Sequence, residues 1–138
     1  MINIFIVDDD TQLLKLYQLF LTFSGFSVID SAINGEEAVT KFKNLQKKPD
    51  LIIMDFNMPI KNGIEATKEI VRIDKNAKII IVSGEISIKE EAINVGAISF
   101  YKKPFNLTEF CQKLVNIYEI LSNSEIKPHY LNQQLISH

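Results

Sequence analysis

The 138-residue chain has one cysteine, a net charge of only −2 and no long apolar run, and each shortage closes off a class of proteins. The lone thiol, Cys111, has no partner for an internal disulfide, so nothing in the sequence calls for an oxidising compartment. With 15 basic against 17 acidic residues there is no general attraction to nucleic acid or to an anionic membrane, and neither partner is expected. No stretch approaches the roughly 18 apolar residues of a membrane span. The chain runs directly into a strand-like segment without a basic leader, so a cytoplasmic location is expected. Repeats and low-complexity tracts are missing too. What remains is a composition 46% hydrophobic and 23% charged, which suits one globular domain with its own core.

Four strand-like runs each end in a residue able to handle a phosphoryl group or its metal. Ile4 to Val7 ends in Asp8 and Asp9, Leu51 to Met54 in Asp55, Ile79 to Val82 in Ser83, and Ile98 to Tyr101 in Lys102 and Lys103. The runs are near-continuous Ile and Val instead of alternating, as in strands buried on both faces of a parallel sheet. Such strands deliver their ends to one edge, where ligands bind in open α/β folds. Three carboxylates, a hydroxyl and an ammonium should therefore converge.

Between the strands the apolar spacing turns helical. Leu13, Leu14, Leu16, Tyr17, Phe20 and Leu21 form a stripe that stops at Gly25, and Phe26 to Ala32 reads as a second strand. Helices are expected over Glu36 to Lys47, Gly63 to Ile73, Ser87 to Val95, and from Asn106, where Glu109 suggests a capping box, to Leu121. Five strands alternating with five helices predict a doubly wound α/β sandwich of three layers. The pattern ends at Leu121. One domain over residues 1–121 is expected, followed by a frayed or loosely docked tail over 122–138, which holds Pro128 and both histidines.

Val7-Asp8-Asp9, Met54-Asp55-Phe56-Asn57-Met58-Pro59 with Gly63, Val82-Ser83-Gly84 and Lys103-Pro104-Phe105 together resemble the response regulator receiver domain, over about Ile2 to Leu121. Each motif alone is weak; all four in order, each at a strand end, are specific. The resemblance implies a flavodoxin-like (βα)5 fold of strand order 2-1-3-4-5. It also implies phosphoryl transfer from a histidine kinase or histidine phosphotransfer protein to one aspartate, in a stand-alone, single-domain regulator that is a monomer or a phosphorylation-dependent dimer.

Asp55, at a central strand end, is the expected phosphoacceptor, because a carboxylate oxygen can attack phosphorus and give an acyl phosphate. By resemblance, Mg²⁺, or Mn²⁺ in its place, would be held by Asp9, Asp55 and the Asn57 carbonyl, with Asp8 acting through water. That agrees with the octahedral oxygen preference of Mg²⁺. Mutual repulsion among the three carboxylates should raise their pKa values. Lys103 would pair with the carboxylate and later with a phosphoryl oxygen, Ser83 would bond another, and the Lys103–Pro104 peptide would be cis. Phe100 would be the switch aromatic, with Tyr101 beside it a second choice, and the surface of the fourth helix, fifth strand and fifth helix would meet a downstream protein.

Plainer readings stand beside these. Asp10 is expected to cap the first helix, one of Lys102 and Lys103 to be solvated, Met58, Pro59 and Gly63 to shape a loop, and Glu85 to be simply exposed. Two rival functions remain. Asp8 to Thr11 also resembles the nucleophile motif of haloacid dehalogenase-like phosphatases, with Asp8 attacking and Asp10 as acid/base. Alternatively, the chain is the excised receiver of a larger DNA-binding regulator or hybrid kinase. As a receiver it would be no enzyme beyond its own phosphorylation and dephosphorylation.

Overall fold

A computed structural model describes residues 1–123. The element order is β1 (Asn3–Val7), α1 (Thr11–Phe23), β2 (Ser27–Ala32), α2 (Gly35–Asn44), β3 (Leu51–Asp55), α3 (Gly63–Ile73), β4 (Ile79–Ser83), a 3₁₀ turn (Ile86–Ile88), α4 (Lys89–Asn94), β5 (Ser99–Lys102) and α5 (Leu107–Leu121). All strand pairs are parallel, in the order β2-β1-β3-β4-β5. This is the flavodoxin-like arrangement and strand order that the resemblance implies. The expected tail from residue 124 onward lies outside the described residues.

Because side chains alternate along a strand, each strand feeds two cores. Ile4 and Ile6, Leu51 and Ile53, and Ile80 and Val82 pack against Tyr17 and Leu21 of α1 and Phe110, Leu114 and Ile117 of α5. Phe5, Val7, Ile52, Met54 and Ile81 face the other way, against Phe42 of α2, Ile64 and Ile70 of α3 and Ala92 of α4. β1, β3 and β4 are buried along their whole length, which is why they read as unbroken apolar runs.

Helix ends follow their caps. Asp10 caps α1, its carboxylate accepting from the N–H groups of Gln12 and Leu13, and Gly25 and Gly96 take positive φ after α1 and α4. The Asn106 side chain accepts from the Glu109 N–H as expected, whereas the fully reciprocal capping box sits unforeseen at Asn62 and Glu65 of α3. Two helices differ from expectation. α2 ends at Asn44, not Lys47, because the Lys48 ammonium turns back onto the carbonyl of Phe42 and, at 3.4 Å, that of Lys43. α4 begins at Lys89, after a 3₁₀ turn at Ile86–Ile88, because the position before it is Ile88, which offers no side-chain cap.

Candidate functional site

β1, β3 and β5 bring their ends together on the α1/α5 side of the sheet. Asp8 and Asp55 continue the series Ile4, Ile6 and Leu51, Ile53, so both carboxylates emerge above the same core. Asp8 is almost wholly buried, with its N–H on Ala32 O at 3.0 Å and its Oδ1 accepting from the Asp10 N–H at 2.8 Å. Asp9, next along, is exposed.

Lys103 comes from the far edge. Its N–H donates to Ser83 O at 2.8 Å, which fixes the register of the β5 exit against β4, and the Lys103–Pro104 peptide is cis. The ammonium lies 2.8 Å from Asp55 Oδ1 and 3.2 Å from Asp8 Oδ2. Lys102 is solvated, as alternation along the strand requires of one of the two lysines. No described residue donates to Asp55 Oδ2, so this oxygen is open to an incoming group.

The carboxylate oxygens of Asp8, Asp9 and Asp55 come within 4.8 Å of one another. An all-carboxylate set at this spacing fits a hard divalent cation, which takes oxygen ligands and keeps waters in its remaining positions. Asn57 is exposed in the loop directly after Asp55, beside this cluster in sequence.

Burial, the largest cause, pushes the Asp55 carboxyl up to about 6; the Lys103 hydrogen bond opposes it, and the Asp8 and Asp9 charges add to it. The Asp8 carboxyl is also raised, first by burial, against the Asp10 N–H and Lys103. Crowding of like charge, the cause expected from sequence, is thus real but secondary to desolvation. For Lys103, burial disfavours the charge, but the Asp55 and Asp8 carboxylates outweigh it and hold the ammonium above its ordinary value.

Ser83 is buried at the end of β4, its Oγ accepting from the Glu85 N–H at 2.9 Å, which leaves its proton free to donate elsewhere. Glu85 itself is exposed. Phe100 is buried in the α2/α3/α4 core, paired in register with Ile81 beside the β4 exit. Tyr101 points to the opposite face, edge-on to Phe105 and Phe110. Gly63 closes the loop after Asp55: its N–H donates to Phe56 O, and a Cβ there would lie 2.1 Å from Asp55 O.

Two features escaped the sequence reading. Lys61 pairs with Glu36 of α2 at 3.1 Å and with Glu69 of α3, clamping the loop that carries Asn57 and Met58. Its partners lie on two other elements, so nothing local announces it. Tyr17, read as one member of an apolar stripe, is fully buried, and among the described residues its hydroxyl has no hydrogen-bond partner.

A family model described as the response regulator receiver domain matches residues 4–115. Chemotaxis protein CheY of Thermotoga maritima is 43% identical over 114 residues, covering 81% of this chain and 93% of that protein. Among solved structures, a chain of the CheX-CheY-BeF3-Mg²⁺ complex from Borrelia burgdorferi superposes with a TM-score of 0.79 at 34% identity, covering 85% of this chain and 89% of that one. Response regulator TrrA of Thermotoga maritima, in complex with Mg²⁺-BeF, gives 0.75 at 33% identity, covering 84% and 98%.

Proposed function

The chain belongs to the response regulator receiver family, the phosphoacceptor module of two-component signalling, and from that premise we propose that Asp55 is its phosphoacceptor. The observation that carries this is the Lys103 bridge: the ammonium holds Asp55 Oδ1 and Asp8 Oδ2, leaving Asp55 Oδ2 unpartnered beside the carboxylate cluster.

In the proposed reaction Asp55 Oδ2 attacks the phosphorus of a phosphohistidine on a histidine kinase or phosphotransfer protein. The new P–O bond forms as the P–N bond breaks, and the leaving imidazole nitrogen takes up a proton. Lys103 keeps the carboxylate aligned and meets the charge arriving on the phosphoryl oxygens, and the free Ser83 proton is available to one of them. Asp9, Asp55 and the Asn57 carbonyl would hold Mg²⁺, or Mn²⁺, with Asp8 behind a water. When bound, the cation supplies charge neutralisation between carboxylates and phosphoryl oxygens. Mg²⁺ accompanies both solved relatives named above, and the donor set here is of the same chemistry.

The output surface we assign is the face of α4, β5 and α5. A groove of about 820 Å³ runs there, lined by Ile86, Tyr101, Lys102, Phe105 and Ile117 with Phe100 at its base. Phe100 thus touches both the core beside the Ser83 strand and the surface a downstream protein would read. Residues 1–121 constitute this receiver; among the described residues no helix is long and apolar enough to cross a membrane.

The phosphatase reading fits less well. Both Asp8 oxygens are engaged and the residue is closed to solvent, and Asp10, its required acid/base, is spent on the α1 cap.

The test is incubation with Mg²⁺ and acetyl phosphate, read by intact mass. One added phosphoryl group in the wild type and none in Asp55→Asn is expected. Equal modification of the variant would place the nucleophile elsewhere.

A further inference from the structure

Ile60 takes φ +72°, in the left-handed region that a β-branched residue almost never enters. The Lys61 N–H donates to Pro59 O at 2.8 Å across it, which makes the rare and strained form of the three-residue turn. The Ile60 side chain is 79% exposed, so nothing that it buries itself holds this conformation. Strain of this kind persists only where the surroundings over-determine it. Here the holding residue is Lys61. Its carbonyl accepts from the Gly35 N–H at 2.9 Å, at an approach so close that a Cβ on Gly35 would lie 2.3 Å from that oxygen. Its ammonium pairs with Glu36 of α2 at 3.1 Å and with Glu69 of α3, whose facing oxygen is closed to solvent. One residue later, Asn62 and Glu65 lock the start of α3 in their reciprocal cap.

The strained turn bears on the acceptor because the loop is a closed ring. The Gly63 N–H donates to Phe56 O at 2.8 Å, so the backbone from Asn57 to Asn62 leaves and returns at one point. A change at Ile60 must then be absorbed by the other residues of the ring, Asn57 among them. We propose that Lys61 is a positioning residue of the acceptor site: its tether to α2 and α3 keeps Ile60 left-handed and so holds the Asn57 carbonyl where a divalent cation can use it. This rests on the receiver reading above and on the Asn57 carbonyl proposed there as a ligand. Lys61 touches neither cation nor phosphoryl group; it sets how often the ligand set is complete.

The test separates geometry from charge by sign. Lys61→Met removes a positive charge, which by itself would tighten cation binding. Calorimetry is instead expected to show Mg²⁺ bound about fivefold or more weakly, the population shift open to a residue freed from the left-handed region. Glycine takes positive φ without strain, so Ile60→Gly added to Lys61→Met should return the affinity to within about twofold of wild type. Lys61→Arg, which keeps a cation for both glutamates, should hold it. In the metal-free protein, exchange protection of the Gly35 and Lys61 amides should fall in Lys61→Met and persist in Lys61→Arg. With the metal saturating, acetyl phosphate should modify Asp55 in Lys61→Met at the wild-type rate. Unchanged or tighter Mg²⁺ binding by Lys61→Met overturns the proposal, and so does a loss that Ile60→Gly fails to restore or that survives as a slower reaction at saturating Mg²⁺. A wild type that binds Mg²⁺ yet is never phosphorylated sinks the receiver reading instead, with the binding comparison still deciding the role of Lys61.

Discussion

Lys103 Nζ stands 2.8 Å from Asp55 Oδ1, joining the last residue of the central strand to the residue just past β5 across 48 positions of sequence. The pairing does two opposed things. It stabilises a buried carboxylate, and it places a positive charge where a divalent cation must also be received.

Lys103→Ala therefore separates two effects that a shared active-site role would merge. Removing the ammonium relieves its repulsion of Mg²⁺, worth about 1 kcal/mol even at the dielectric of bulk water, so cation affinity should rise severalfold. Phosphorylation should slow by tenfold or more, because the charge facing the phosphoryl oxygens is gone. Calorimetry and a phosphorylation time course on one sample decide. A fall in Mg²⁺ affinity would show that Lys103 organises the carboxylates more than it competes with the metal.

Asp55 also sets a pH dependence of stability. Its folded-state pKa is raised to about 6 from 3.8, chiefly by burial. The associated stability is complete below the unfolded value and is lost as pH rises from about 4 through about 6, since ionising the buried group is disfavoured in the fold. Asp55→Asn, fixed in the neutral form, should be more stable than wild type at pH 8 without metal, by roughly 3 kcal/mol. The gap should close by about pH 4, where both are neutral. Urea unfolding at both pH values is the measurement, and an equal gap at each would assign the effect to something other than ionisation.

Much of this was legible in the chain because burial on both faces leaves the interiors of β1, β3 and β4 apolar, so their C-terminal ends stand out as the first charged or hydroxyl residues after an apolar run. Asp8, Asp9 and Asp55 were readable for that reason, whereas Lys103, just past the half-exposed β5, was singled out over Lys102 by the resemblance. α3 was found over its full span, Gly63–Ile73, but α4 was not, since Ile88, the residue before its start, offers no cap to read. Tyr17 stayed hidden because helical periodicity counts a tyrosine as apolar and says nothing of where its hydroxyl ends. The cause of the raised carboxyls was likewise misjudged. Like charges are visible in sequence, whereas the depth at which Asp8 and Asp55 sit is a product of packing.

Ser83 bears on the link between site and surface. Its Oγ holds the Glu85 N–H, so bonding a phosphoryl oxygen draws the start of the β4 to α4 loop along with it, beside the space that Phe100 fills. Ser83→Ala should leave Asp55 phosphorylatable while reducing the change that follows, because a contact made in only one state is removed. Amide exchange over residues 84–105, with and without phosphodonor, reports this. Identical responses in variant and wild type would exclude this route.

Gly63 ties the loop to the acceptor itself. A Cβ at this position would sit 2.1 Å from the Asp55 carbonyl oxygen and 3.0 Å from Met54 Cγ, and the nearer atom is backbone that cannot swing aside. Accommodating it requires α3 to shift outward or the Asp55 peptide to move, and the Gly63 N–H bond to Phe56 O opposes the first. Gly63→Ala should thus cost roughly 2–4 kcal/mol and slow phosphorylation beyond what lost stability explains, since the displaced peptide carries the nucleophile. Gly84→Ala is the matched control: it lies beside the same site, but nothing is within 4 Å of its Cβ, so its stability should stay near wild type. Urea midpoints and phosphorylation rates of the two variants, compared at a temperature where both are fully folded, carry the test. If Gly63→Ala matched Gly84→Ala in both, the close approach at Asp55 would not be what demands glycine there.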